Sequence, residues 1–409
     1  MELKITVIIL MLVGGLYSLA LSVIKARSAN NETPDNLKDV YDNETYEKWK
    51  KYSAEHSRLD IISTIIKLVI STVMLITNVY SQFARLFADT ELAQTLSVII
   101  LETAVGLVVE VVESYISNMV IEQKYGFNRT SKKTFVKDVI FKNIFAFMLS
   151  LTIASLIALL YGLLGVWMIP LFALVALGFT LLVSFLYPVL SKVKNKFTPL
   201  EDGELKQSLL RLLEKYGYKV KAIMVMDAST RTTKLNAYFT GFGKLKTIVL
   251  YDNLIKEMSA GEICAVFAHE MGHGLHKDVL MGQILNVFYL ALIGAMAYFA
   301  VEIYGFYTQF GFDGVNFGFT YVLLGVGLSV LQPLVGLLTN ARSRRAEYRA
   351  DNQAVIEGYG SDMITALKKL AKSNFSHLAP SKINVLLEYS HPPLSLRVQN
   401  VENQMQNLK

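Results

Sequence analysis

The sequence predicts a mainly α integral membrane protein, with about seven transmembrane helices and a cytoplasmic α+β domain. Three observations predict it. Of the 409 residues 53% are hydrophobic and only 18% charged, against about 25% charge in a soluble chain. Five long runs, 5–24, 68–84, 143–191, 279–301 and 314–341, contain no Asp, Glu, Lys or Arg. The basic residues fall almost wholly into alternate segments between the expected spans.

A helix needs about 20 apolar residues to cross the hydrocarbon core. The first span is expected at 5–24. Lys4, the apolar middle and the small residues from Ala26 to Ala29 imitate a signal peptide, yet the uncharged run is long for a cleaved one, so an uncleaved span is expected. A loop over 25–60 follows, then spans at 61–84, which tolerates Lys67, and at 92–112, which tolerates Glu102 and Glu110. After a second loop, 113–142, the run from Asn143 to Ser191 suffices for two spans, 143–166 and 168–191, broken near Trp167 to Pro170. Residues 1–191 thus form a membrane region. Segment 192–278 begins an aqueous domain, spans 279–301 and 316–341 interrupt it, and 342–409 completes it.

Segments 25–60, 113–142, 192–278 and 342–409 hold 37 of the 40 Lys and Arg residues. Only Lys4 and Arg85 lie on the other side, so the basic segments are expected to be cytoplasmic. The net charge of +6 then needs no nucleic acid; anionic lipid headgroups account for it. A single cysteine, Cys264, excludes an internal disulfide and fits a reducing compartment. Four sequons, at Asn31, Asn43, Asn128 and Asn374, fall on the cytoplasmic side and are taken as chance. Glu102, Glu110 and Glu113 are costly in lipid and imply an aqueous setting, or a pairing of Glu102 with Lys67.

The stretch "FAHEMGHGLHKD", 267–278, carries the chemistry. Positions i and i+4 share one helix face, so His269 and His273 can aim at one ion, while Glu270 sits beside them to act on water without ligating. Ser259 and Glu262 form a capping-box pattern that starts this helix, and Cys264, Val266, Phe267 and Ala268 give it an apolar flank. His276 is a turn too far to join the ion and is expected at the helix C-terminus. A catalytic zinc takes three protein ligands. The third is sought in "NARSRRAEYRADNQAV", 340–355, where Glu347 and Asp351 are again i and i+4. Two spans separate Asp278 from Arg342, which returns Glu347 to the side of His269. Glu347 is the expected ligand and Asp351 the holder of a histidine ligand's free nitrogen; the alternative is a solvated charge pattern. "NAYFTGF", 236–242, alternates like an edge strand entering a hairpin with "TIVLYD", to which an extended peptide can add.

These blocks, with "IEQKYGFNRTSKKTFVKD" (121–138), "NKFTPLEDGELK" (195–206), "TRTTKLNAYFTGFGKLKTIVLYD" (230–252), "SRRAEYRAD" and "YSHPPLSLR" (389–397), occur in family order. Through them the chain resembles the type I CaaX prenyl endopeptidases, the a-factor-converting-enzyme-like membrane zinc metalloproteases. Short segments at 374–383 and 303–313 resemble a compact prokaryotic member. That resemblance implies a prokaryotic cell membrane, or the endoplasmic reticulum of a eukaryote. It implies seven helices around a water-filled chamber, a gluzincin-like zinc domain at its cytoplasmic mouth and one Zn2+ per chain. Its partners would be a peptide or protein substrate, prenylated or membrane-inserted, and membrane lipid. It further implies that Asn236, Ala237, Tyr238 and Phe239 bind substrate, with Asn236 clamping a carbonyl. His391 would steady the oxyanion and Arg397 support the site. Three rivals remain open: a heat-shock-type protease clearing damaged membrane proteins, a transporter or channel with a structural metal site, and a catalytically idle membrane scaffold.

Overall fold

The computed structural model describes residues 2–86, 90–190, 195–217, 222–240 and 247–408. Helix α1 (Glu2–Ser28) covers the first expected span. Helix α2 (Asn43–Ile76) starts well before residue 61, because the Asp42 side chain accepts from Thr45 N at 2.7 Å and caps it. Much of the expected 25–60 loop is therefore helical. The span expected at 61–84 is also two helices rather than one. Asn78 takes a left-handed φ of 57°, and α3 (Val79–Ala84) resumes beyond it. Lys4 Nζ donates to Ile76 O at 2.9 Å and to Asn78 Oδ1 at 2.7 Å, placing a cation on the exposed carbonyl end of α2.

Helix α4 (Glu91–Tyr115) runs on through a π-helical stretch, Ile116–Glu122. Helices α5 (Lys132–Leu164) and α6 (Met168–Leu190) divide the long uncharged run. Gly165, at φ 56°, and a 3-10 turn over Gly165–Trp167 make the break, just ahead of the expected Trp167 to Pro170, and Pro170 lies within α6. Ser191, the end of the expected span, lies outside the described residues. The intramembrane charges find partners. Lys67 pairs with Glu113 at 2.6 Å, not with Glu102; Glu102 accepts from the Tyr80 hydroxyl at 2.5 Å, and Glu110 pairs with Lys142 at 2.5 Å.

The aqueous domain opens with β1 (Phe197–Pro199), α7 (Glu204–Lys215), β2 (Ala222–Met226), β3 (Ala237–Thr240) and β4 (Thr247–Tyr251). The sheet order is β1-β2-β4-β3, parallel only between β2 and β4. Strand β3 is thus an edge, pairing Ala237 with Leu250 and Thr240 with Thr247. Its turn, with Gly241 and Phe242, lies outside the described residues. Helix α8 (Asp252–Glu257) leads to α9 (Ala260–Leu275), which packs with α7 over the sheet around Leu209, Ile248, Leu250, Ile263, Cys264 and Phe267.

Helix α10 (Asp278–Glu302), the short α11 (Gly305–Thr308) and the 40-residue α12 (Phe317–Ile356) follow. Helices α1, α2, α4 with its π-helical extension, α10 and α12 are long and apolar enough to cross a membrane. Helices α13 (Gly360–Ser373), α14 (Lys382–Leu387) and α15 (Leu394–Asn407) close the chain. Two cavities, of 910 and 620 Å³, adjoin between the helices and share Ser18 and Ser329 in their walls. Tyr17, Asn286, Gln332 and Arg342 line the larger; Lys67, Tyr80 and Glu102 line the smaller.

Candidate active site

Helix α9 is built to be buried. Its start is the expected capping box: Glu262 N donates to Ser259 Oγ at 3.2 Å, and Ser259 N to Glu262 Oε2 at 2.7 Å. Small residues then let it approach α12. Ala265, Ala268, Ala350 and Ala354 are fully buried, and a Cβ added at Gly272 would lie 2.9 Å from Ala350 Cα. That close crossing brings residues of two helices, separated in sequence by a whole membrane excursion, into one cluster.

His269, His273 and Glu347 each offer a ligand atom, all within 4.8 Å of one another. Glu347 Oε1 lies 3.3 Å from His273 Nε2, and its Oε2 lies 3.7 Å from His269 Nε2. The two imidazoles meet edge to face, with centroids 4.9 Å apart. Metal bonds of about 2.1 Å at tetrahedral angles put donor atoms about 3.4 Å apart, so this set fits one ion. A second observation agrees. His391 Nδ1 lies 2.9 Å and Arg397 Nη1 3.3 Å from Glu347 Oε2, so this buried oxygen is held by ion-pair contacts without a geometric hydrogen bond.

The electrostatics match a cation site. Burial alone would lower the His273 pKa, but its bonds to Glu347 and Asp278 outweigh this and raise it to about 9. Burial pushes the Glu347 carboxyl up, yet contacts with His273, His391 and Arg397 hold it far below the usual carboxylate range. Glu347 is thus a buried anion beyond the uncharged part of α12, with its histidine neighbour carrying the proton that a metal would displace.

Of the sequence-derived site residues, His269, His273, Glu347, Asp351, His391 and Arg397 come together. Asp351 is fully buried and faces His269 Nδ1 at 2.9 Å through Oδ1. Arg397, on the first turn of α15, donates through Nε to Oδ2 at 2.9 Å and through Nη2 to Oδ1 at 2.6 Å. Glu270 sits beside His269 on α9 and exerts its charge on both His273 and Arg397. His276 ends α9, with Nδ1 2.9 Å from Gly272 O, away from the cluster. Strand β3 packs along α9; Asn236, just before it, is exposed and its Oδ1 accepts from Ala237 N at 2.9 Å. Tyr238 stacks edge-on against Tyr251, and Phe239 pairs through the backbone with Ile248.

Sequence reasoning missed Asp278. Its Oδ2 lies 3.1 Å from His273 Nδ1, and its Oδ1 accepts from Arg349 Nη2 at 2.8 Å. The available signal was an aspartate at the junction of the motif helix and a membrane helix, opposite arginines that reappear at the far end of the two-span excursion.

Comparison with known proteins agrees with this geometry. A family model described as the CAAX prenyl protease N-terminal region, with five membrane helices, matches residues 23–192, and one for peptidase family M48 matches 199–405. The chain is 29% identical to "CAAX prenyl protease 1 homolog" of Arabidopsis thaliana, over 91% of this chain and 90% of that one. It is 29% identical to "CAAX prenyl protease 1" of Saccharomyces cerevisiae, over 90% and 88% respectively. The crystal structure of S. mikatae Ste24p superposes with a TM-score of 0.89 at 27% identity, covering 98% of this chain and 99% of that one. With a membrane-helix region and a peptidase region matched in order along one chain, and a His-Glu metal cluster in the second, the protein belongs to the type I CaaX prenyl protease family of M48 peptidases and is a membrane-embedded metalloendopeptidase.

Proposed function

We propose that the metal is zinc, held by His269, His273 and Glu347, and that the enzyme cleaves prenylated or membrane-inserted peptides at the cytoplasmic face. The carrying observation is the three-residue donor set spaced for a tetrahedral ion. Two imidazoles and one carboxylate are a donor set typical of hydrolytic zinc, with a fourth position open. When bound, the ion acts as a Lewis acid on the scissile carbonyl and acidifies the attacking water.

The chain's own residues do the rest. Glu270 takes the proton from the attacking water and delivers it to the leaving amine. His391 Nδ1 is turned to Glu347, so its Nε2 is the nitrogen left to meet the oxyanion. Asp351 and Arg397 fix the His269 ring. The substrate lies extended along β3, from Ala237 to Thr240, and Asn236 clamps one carbonyl. The edge position of β3 beside α9 supports this role.

Seven spans, adding α5 and α6 to the five apolar helices, put the 37 basic residues on the cytoplasmic side. Prenylated substrates are supported by the relatives' names and by the larger cavity, whose wall includes Arg342, 3.6 Å from Asp278. A lipidated or membrane-inserted chain reaches such a site along the bilayer.

The test is zinc content and peptidase activity of purified protein, wild type beside Glu270→Ala. The substrates are a farnesylated CaaX peptide, its unprenylated twin and an unfolded membrane protein. Wild type is expected to hold one zinc. Glu270→Ala should keep it and lose about 10²- to 10⁴-fold in kcat. A wild type that takes up no zinc when it is supplied defeats the proposal. Equal cleavage of the two peptides defeats the prenyl part alone.

A further inference from the structure

The two histidines of the cluster are held in the same way, but only one of the holders was expected. His269 Nδ1 faces Asp351, which Arg397 grips with two nitrogens. His273 Nδ1 faces Asp278, which Arg349 grips at 2.8 Å, with Arg342 Nη2 3.6 Å from the same oxygen. We infer that Asp278 is a positioning residue for the metal centre: its arginine-braced carboxylate accepts the Nδ1 proton of His273 and so commits Nε2 to the ion. This rests on the metal centre proposed above.

The backbone is shaped for that contact. Five residues along an unbroken α-helix lie about 140° around its axis, so Asp278 on a continued α9 would point away from His273. Instead α9 is capped at His276, and Lys277 takes a left-handed φ of 55°. The Lys277 side chain makes no cap hydrogen bond there. What the strained residue achieves is to fold the chain back and start α10 with Asp278 against His273. The Asp278 side chain is 12% exposed, so its charge meets the histidine in a largely desolvated place. Arg342 also donates to Asp278 O at 3.4 Å, so both backbone and carboxylate of this residue are tied to α12. A neutral imidazole whose free N–H is held by a carboxylate is a better and better-aimed ligand.

The consequence is specific to metal binding. Full-length protein in detergent is stripped of metal and titrated with zinc against a chromophoric chelator, and the cobalt-loaded forms are compared by visible absorption. Asp278→Ala is expected to weaken zinc binding by about 10- to 100-fold and to shift the cobalt bands. Asp278→Asn, which keeps an acceptor and loses the charge, is expected to fall between it and wild type. The metal-free variants lose the Asp278 contacts with His273 and Arg349 and should melt below metal-free wild type, so zinc is titrated well below the variants' midpoints. If Asp278→Ala fails to fold, Asp278→Asn decides alone. Zinc affinity within about twofold of wild type and an unchanged cobalt spectrum would overturn the inference. A wild type that binds neither metal would instead bring down the metal centre itself, and the inference with it.

Discussion

Arg397 and Asp351 form a buried charge pair in which one side is fully enclosed: Asp351 has no exposed surface and Arg397 keeps 14% of its side chain open. Removing one member of such a pair strands the other, which costs about 3–5 kcal/mol. Arg397→Ala is therefore expected to lower the thermal midpoint of even the metal-free protein. Asp351→Asn added to that variant should recover part of the loss, because the stranded charge is gone. A double variant less stable than Arg397→Ala would contradict this account. Arg397→Lys should not rescue fully, since an ammonium cannot match the two parallel bonds made by Nε and Nη2. At this scale much of the candidate cluster was legible. His269, Glu270 and His273 follow from helical spacing, and Glu347 and Asp351 from spacing plus the parity of two spans. His391 stands beside Glu347 through no periodicity at all, and only resemblance located it. Asp278 stayed hidden because its contact depends on one backbone dihedral, at Lys277, that residue identity does not announce.

Between elements, the crossing of α9 and α12 sets the spacing of His269, His273 and Glu347. Gly272 permits it, since a methyl there would sit 2.9 Å from Ala350 Cα and 3.0 Å from Gln353 Cβ. Backbone cannot swing aside as a flexible side chain does, so the helices must part. Gly272→Ala is expected to cost about 1–3 kcal/mol by overpacking. Unlike a remote cavity mutation, it should also weaken zinc binding, because Glu347 moves away from both imidazoles. Parallel calorimetric and zinc titrations would check the pairing; a stability loss with unchanged zinc affinity would show that the crossing does not set the site. The alternation of "NAYFTGF" and the capping box of Ser259 and Glu262 made β3 and the start of α9 readable in advance. The split of the 61–84 span was not readable, because Asn78 in a left-handed turn and Lys4 capping α2 from another helix are tertiary events.

On the scale of the whole molecule, the chain's first and last thirds close on each other. Leu37, Val40, Tyr41 and Trp49 pack with Ala371, Leu378 and Val398, so the segment joining α1 to α2 braces the part of the enzyme that carries His391 and Arg397. His377 lies in that seam. Its Nε2 is 3.2 Å from Ser28 Oγ, its ring meets Trp49 edge-on at 4.9 Å, and its buried Nδ1 has no partner. Burial, and next the charge of Lys25, lower its pKa from 6.5 to about 4. The folded protein thus resists a proton that the unfolded chain accepts. The stability this neutral ring contributes is fully present above pH 6.5 and is lost as pH falls from there toward about 4. Thermal midpoints of wild type and His377→Gln, measured in detergent across this range, isolate the contribution from carboxylates that titrate in both. The wild-type midpoint should fall more steeply than that of the variant below about pH 6.5, while the two run parallel above it. Parallel curves throughout would mean that His377 takes its proton without opening the seam. A steeper fall accompanied by loss of peptidase activity, with zinc retained, would place acid sensitivity in the clamp between the two ends of the chain rather than at the metal.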